Sequence, residues 1–170
     1  MDYKGFKKSD NKIIENYNLE EIRGLIVDNT WQIEVGMDEI ITNYIKPEKK
    51  DVFKRIILNS SIMPLGSKIK ILSNIDGFEK KIISNIQRLT SIRNAFVHIQ
   101  VNENVSINLN KISFNSQNKE DDKVTSKSWQ TMDVMNSNGV IITKQTTDLA
   151  KEFFQLYTPT KSFLNNFGDI

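Results

Sequence analysis

Phe78-Glu79-Lys80-Lys81-Ile82-Ile83-Ser84-Asn85-Ile86-Gln87-Arg88-Leu89-Thr90-Ser91-Ile92-Arg93-Asn94-Ala95-Phe96-Val97-His98-Ile99 is the stretch on which the fold turns. At about 100° per residue, Phe78, Ile82, Ile86, Leu89, Arg93 and Phe96 share one stripe, and Lys80, Gln87, Ser91, Asn94 and His98 lie on the far side. The spacing predicts a helix from Phe78 to Ile99. It also sets Arg93 in the middle of the apolar face, where an unpaired charge is costly. A carboxylate from another helix would relieve that cost. Such a pair is often neutral for stability, yet removing one partner costs about 3–5 kcal/mol.

Upstream, Ile22, Ile26, Ile33, Met37, Ile40 and Tyr44 recur at helical spacing, so Leu19 to Ile45 reads as a long helix ended by Lys46-Pro47. Glu34 lies at the edge of its apolar stripe and is the expected structural partner of Arg93. Asp51 is placed to cap a shorter helix through Val52, Phe53, Ile56, Ile57 and Leu58. Met63-Pro64-Leu65-Gly66 breaks the pattern, Ser67 to Ile75 reads as a short helix, and Asp76-Gly77 signals a turn.

Downstream, the alternation Val105-Ser106-Ile107-Asn108-Leu109 predicts a strand, extended by Ile112–Phe114, with a polar loop from Ser116 to Lys127. Met132–Met135 and Val140–Thr143 read as a hairpin about Asn136-Ser137-Asn138-Gly139. A last helix starts near Thr147 or Asp148, and Pro159 is expected to break or restart it. The fold class is mainly α, with a small β-hairpin insertion before the last helix.

The 170 residues suit one domain, divided into an N-terminal arm over 1–18 and a single domain over 19–170, with the β insertion at 104–145. At 38% apolar residues and a mean hydropathy of −0.41, enough Ile, Leu and Phe remain for a core. A balance of 23 basic against 21 acidic residues is too even to announce a nucleic-acid binder by charge alone. The absence of Cys removes disulfides, thiolate zinc sites and a cysteine nucleophile, and a single His removes multi-histidine metal centres. No metal and no cofactor are expected. No apolar run is long enough to span a membrane, and Met1 to Asn18 does not read as a secretory signal, so the expected location is cytoplasmic.

Ile92-Arg93-Asn94-Ala95-Phe96-Val97-His98 places a permanent cation, an amide and the only imidazole late on one helix. The stretch resembles the signature of the HEPN superfamily, in which Arg, a polar residue, a spacer and His form a metal-independent ribonuclease site. Trp31-Gln32-Ile33-Glu34 and Pro64-Leu65-Gly66-Ser67-Lys68-Ile69-Lys70 extend the likeness to the HEPN-like proteins related to the mannitol-operon repressor. It covers roughly residues 19–100; the β insertion and the N-terminal arm have no counterpart. The resemblance implies a HEPN-like helical bundle acting as a homodimer, with RNA (tRNA or mRNA) as substrate and Arg93, Asn94 and His98 as catalytic residues. An endoribonuclease of the toxin or host-defence kind follows, with an antitoxin or regulatory protein as a partner. The alternative is a catalytically silent dimer that regulates transcription or binds RNA.

Within one helix, Asn94 and His98 share a face, whereas Arg93 and His98 diverge by about 140°. The resemblance reconciles this spacing, because in the HEPN superfamily the motif helices of two protomers pair and build the site between them. Lys49, Lys50, Lys54 and Arg55, with Lys46, Lys68 and Lys70, could guide an RNA backbone, although a solvated lysine-rich surface is the simpler reading. Trp31 and Trp129 could stack on bases, but packing against a helix or the β insertion is expected. Asp38 and Glu39, or Asp121 and Asp122, read as surface carboxylates. There is no Gly-x-Ser-x-Gly elbow and no phosphate-binding glycine loop.

Overall fold

A computed structural model describes residues 18–99, 101–107, 126–135 and 139–167. Helix α1 spans Leu19–Ile45. Asn18 caps it in a reciprocal box: its Oδ1 accepts from the Glu21 amide at 2.8 Å, and Glu21 Oε2 accepts from the Asn18 amide at 3.2 Å. Lys46 closes it in the left-handed region, φ 51°, donating its N–H to Thr42 O at 2.9 Å just before Pro47. Ile22, Ile26, Ile33, Met37 and Ile40 are buried as their spacing predicts. Tyr44 is not, being 59% exposed, because the core contact shifts to Ile41 and Thr42 at the helix end.

The next segment departs from expectation. Helix α2 is one turn, Lys50–Val52, that widens into a π turn over Phe53–Ile57. Lys49 occupies the capping position and no side chain caps it, so Asp51 lies inside the turn. The amide of Leu58 reaches back to Phe53 O at 3.1 Å, and only Leu58 of the expected apolar set is fully buried. Val52, Ile56 and Ile57 face solvent. Helix α3, Leu65–Leu72, starts directly after Pro64 and stops before Ile75, which is buried all the same.

Helix α4 covers Lys80–His98. Its core face is Ile82, Ile86, Leu89, Ile92, Ala95 and Phe96. Arg93 is half-buried on the flank instead of central, because Ile92 and Phe96 take the inward positions on either side of it.

The strand and the hairpin join into one antiparallel sheet of order β1-β2-β3: β1 Asn102–Ile107, β2 Ser126–Met135 and β3 Ile141–Gln145. Asn102 pairs with Thr131, and Met135 with Ile141. The sheet contacts α4 through β2, where alternating Met132 and Val134 are buried. Ser126 and Lys127, expected in a loop, belong to β2. Gly139, at φ 76°, takes the left-handed conformation that the hairpin requires. The arm up to residue 17, the strand extension Ile112–Phe114, most of the polar loop and the turn residues Asn136–Asn138 lie outside the described residues.

Helix α5, Thr146–Phe167, follows β3 without a gap and continues through Pro159. A proline within a helix costs about 3 kcal/mol. Burial on both sides of it offsets that cost: Leu149, Phe153 and Phe154 before, Leu164 after. The Phe78 ring meets the edges of Phe163 and Phe167 at centroid distances of 5.3 and 5.2 Å. Gly36 of α1 marks the close approach of α5, since a Cβ there would come within 3.3 Å of Leu164. The result is a mainly α arrangement in which α1, α4 and α5 share the core, with the small sheet laid on α4 and α5.

Candidate functional site

The end of α4 separates two grooves of about 520 Å³ each. On one side, Gln87, Ser91, Asn94 and His98 of α4 face Val134 of β2. On the other, Thr90, Arg93 and Asn94 face Thr30, Trp31 and Glu34 of α1 across a floor made by Ser60 and Pro64–Gly66. Asn94 stands on the ridge and borders both. Its Oδ1 accepts a hydrogen bond from Arg93 Nη1 at 3.0 Å. Asn94 and His98 are exposed and Arg93 is half-buried. Arg93 and His98 therefore open onto different grooves, as the 140° or so between their positions on an ideal helix anticipates.

Beneath the Arg93 groove lies the least expected feature. Lys68 of α3 is fully buried, its side chain 1% exposed. Its Nζ donates to Glu34 Oε1 at 2.7 Å and to Asp38 Oδ2 at 3.0 Å, with Asp38 Oδ1 2.8 Å away. Ser60 Oγ donates to Glu34 Oε1 at 2.6 Å. Glu34 and Asp38 are one turn apart on α1, so both reach the same ammonium. Burial acts to raise the Glu34 carboxyl, but the bonds from Lys68 and Ser60 and the charges of Lys68 and Arg93 outweigh it and leave the group below its ordinary value. Asp38 goes the other way. Burial pushes it up, the Glu34 charge adds to that, and Lys68 recovers only part.

Glu34 thus takes Lys68 and Ser60 as its bonded partners, and Arg93 acts on it through charge alone. The expected Arg93–Glu34 pair is replaced because Lys68 rises from α3 between the helices. Lys68 is consequently not a solvated lysine, and Asp38 is not a free surface carboxylate. A signal was present in the sequence. Lys68 shares the inward stripe of Leu65, Ile69 and Leu72, and Glu34 and Asp38 flank one face of α1.

Trp31, expected to pack on a neighbouring helix, is 60% exposed at the mouth of the Arg93 groove, because α1 carries no element over that face among the described residues. Trp129 is half-buried on β2. Lys49, Lys50 and Arg55 are exposed, while Lys54 is ion-paired with Glu39. On another side of α4, Arg88 makes a two-pronged bond to Glu152 of α5 at 2.5 and 2.8 Å, and Lys144 of β3 joins it at 3.0 Å. The Arg88 fork, opposed by burial and aided by Lys144, holds Glu152 below its ordinary value.

Among the described residues, no three His, Asp or Glu side chains gather as a metal-binding group, and no helix is long and apolar enough to cross a membrane. Asp121 and Asp122 lie outside the described residues. Comparison with protein-family models, with curated proteins and with solved structures finds no match.

Proposed function

We propose that the chain is a metal-independent endoribonuclease of the toxin or host-defence kind, built on a HEPN-like bundle and working as a homodimer. The observation that carries this reading is the end of α4. There Arg93, Asn94 and the only histidine reach solvent at the rims of two grooves with Asn94 between them. Since Arg93 and His98 face different grooves of one protomer, the complete site joins groups from two.

In such a site, an imidazole takes the proton of a ribose 2′-hydroxyl, whose oxygen then bonds to the adjacent phosphorus. The phosphorus–O5′ bond breaks, and the histidine of the second protomer donates the proton to the leaving 5′-oxygen. The products are a 2′,3′-cyclic phosphate and a 5′-hydroxyl. Arg93 bears on the phosphate oxygens as negative charge gathers there, its planar fork matching their geometry. Asn94, which already holds Arg93, fixes the direction of that fork.

The test is RNA cleavage in EDTA by wild type and His98→Ala, with folding and oligomeric state measured alongside. The expected result is a cyclic-phosphate product from the wild-type dimer, and at least a hundredfold loss in a mutant that stays folded and dimeric. A strictly monomeric wild type, or cleavage that a chelator abolishes, overturns the reading. A folded dimer that binds RNA without cutting it supports the silent regulator instead.

A further inference from the structure

The groove between α1 and α4 sets acceptors at Thr30, Glu34 and Ser60 against donors at Arg93, the Asn94 amide and the Trp31 indole N–H. Every hydroxyl hydrogen on its wall is already committed: Thr30 Oγ1 donates to Ile26 O at 2.8 Å, Thr90 Oγ1 to Ile86 O at 2.8 Å, and Ser60 Oγ to Glu34 Oε1 at 2.6 Å. Toward the groove these oxygens are left as acceptors only. Glu34 adds a carboxyl whose neighbours favour its charged form, with Oε1 engaged by Lys68 and Ser60 and Oε2 bonded to none of the described residues. Across the groove stands Arg93, which has donors and no acceptor. Trp31, 60% exposed and one turn before Glu34 on α1, offers a flat aromatic face beside the carboxylate.

We propose that this groove binds a guanine base, stacked on Trp31 with its donor edge on Glu34, while Arg93 across the groove is kept for the phosphate. Guanine alone among the four RNA bases has two adjacent donors, N1–H and the 2-amino group, and carries O6 and N7 as acceptors on another edge. Adenine and cytosine set a ring-nitrogen acceptor next to their amino group, and uracil flanks its one N–H with two carbonyls. Each would press an acceptor against the acceptor-lined wall, and an unmatched buried polar group is what a hydrogen-bonding site rejects most strongly. Stacking contributes affinity for any base and leaves the choice to Glu34. The assignment rests on the ribonuclease reading for its source of guanine, a base in single-stranded RNA beside the scissile bond. A free guanine nucleotide shares the same chemistry.

The experiment is calorimetric titration of the full chain with GMP, AMP, CMP and UMP, and with the tetranucleotides UUGU and UUAU in their 2′-deoxy form, which lacks the attacking hydroxyl. GMP is expected to bind at least tenfold more tightly than the other three, and UUGU more tightly than both UUAU and GMP. In Glu34→Gln, the preference for GMP over AMP should fall to about twofold. Asp38 still pairs with Lys68 in that variant, and a melting curve checks its fold. Trp31→Ala alters an exposed side chain and should weaken GMP about tenfold without lowering the melting temperature. Equal binding of all four mononucleotides, or a Trp31→Ala protein that binds GMP as the wild type does, overturns the guanine site. Tighter binding of GMP than of UUGU overturns RNA as its source. No step of the titration depends on cleavage. Cleavage without base preference would sink the guanine site alone, and guanine binding without cleavage would sink the nuclease alone.

Discussion

Two ion clusters tie elements together, one joining α3 to α1 and the other joining α4 to α5 and β3, and they are opposites in composition and setting. At Lys68 one enclosed cation holds two part-exposed carboxylates; at Glu152 one carboxylate holds two cations near the surface. Lys68 is 1% exposed on its side chain, against 21% for Arg88, 29% for Glu152 and 37% for Lys144. The difference teaches that burial, more than the number of contacts, sets what a charge is worth. Water can replace a lost partner at Glu152. It cannot reach Lys68, so that ammonium depends on Glu34 and Asp38, themselves 19% and 21% exposed.

The largest expected effect breaks the inner cluster. Lys68→Met takes from Glu34 and Asp38 the one ammonium bonded to both and leaves only the unbonded charges of Arg93 and Lys54 to offset them, and should cost about 3 kcal/mol in chemical denaturation. The triple change Lys68→Met, Glu34→Gln, Asp38→Asn removes the charges together and should recover most of that loss. If the triple variant were no more stable than the single one, the cost would lie in packing and not in charge. At the outer cluster, Arg88→Ala should cost about 1 kcal/mol, the upper end for exposed pairs, because its fork is two-pronged but wet.

Acid sharpens the contrast. Glu34 and Glu152 are held below their ordinary 4.5, so their stabilising contribution is complete above that value and is lost as pH falls through the lowered ones. Asp38 is held above its ordinary 3.8, so protonating it on acidification returns some stability. Asp38→Asn deletes that offset, and its stability should fall more steeply than wild type in denaturation curves taken below pH 4.5. The smallest expected effect is on the groove's rim. Trp31→Ala should change stability by less than about 0.5 kcal/mol, since nothing in the core rests on that ring.

Much of the frame was legible in the residues. Helix α1 spans Leu19 to Ile45 as its periodicity and Lys46-Pro47 predict, and α4 follows its stripe to within a few residues. Local signals failed where a long-range contact outweighed them. Pro159 reads as a break, but α5 runs through it because Leu164 and the Phe78, Phe163 and Phe167 rings are packed beyond it. The stripe of α4 suggested a buried Arg93, yet periodicity alone does not decide which of two neighbouring rows, Ile92 or Arg93, enters the core. The candidate site residues Arg93, Asn94 and His98 stood out by type and spacing, and their division between two grooves followed from helix geometry.

The sequence by itself determined the helical periods, the punctuation of the chain and the presence of one imidazole near an arginine and an amide. All of these depend on residues close along the backbone. Only the tertiary structure decided that Lys68 is enclosed, that Glu34 belongs to it and not to Arg93, and that Trp31 stands open beside that carboxylate. Those facts depend on α3 meeting α1 across about thirty residues of chain, with Lys68 and Glu34 separated by 34 positions. A charge's partner is set by distance in space and by what excludes water from it, and neither is written in local spacing.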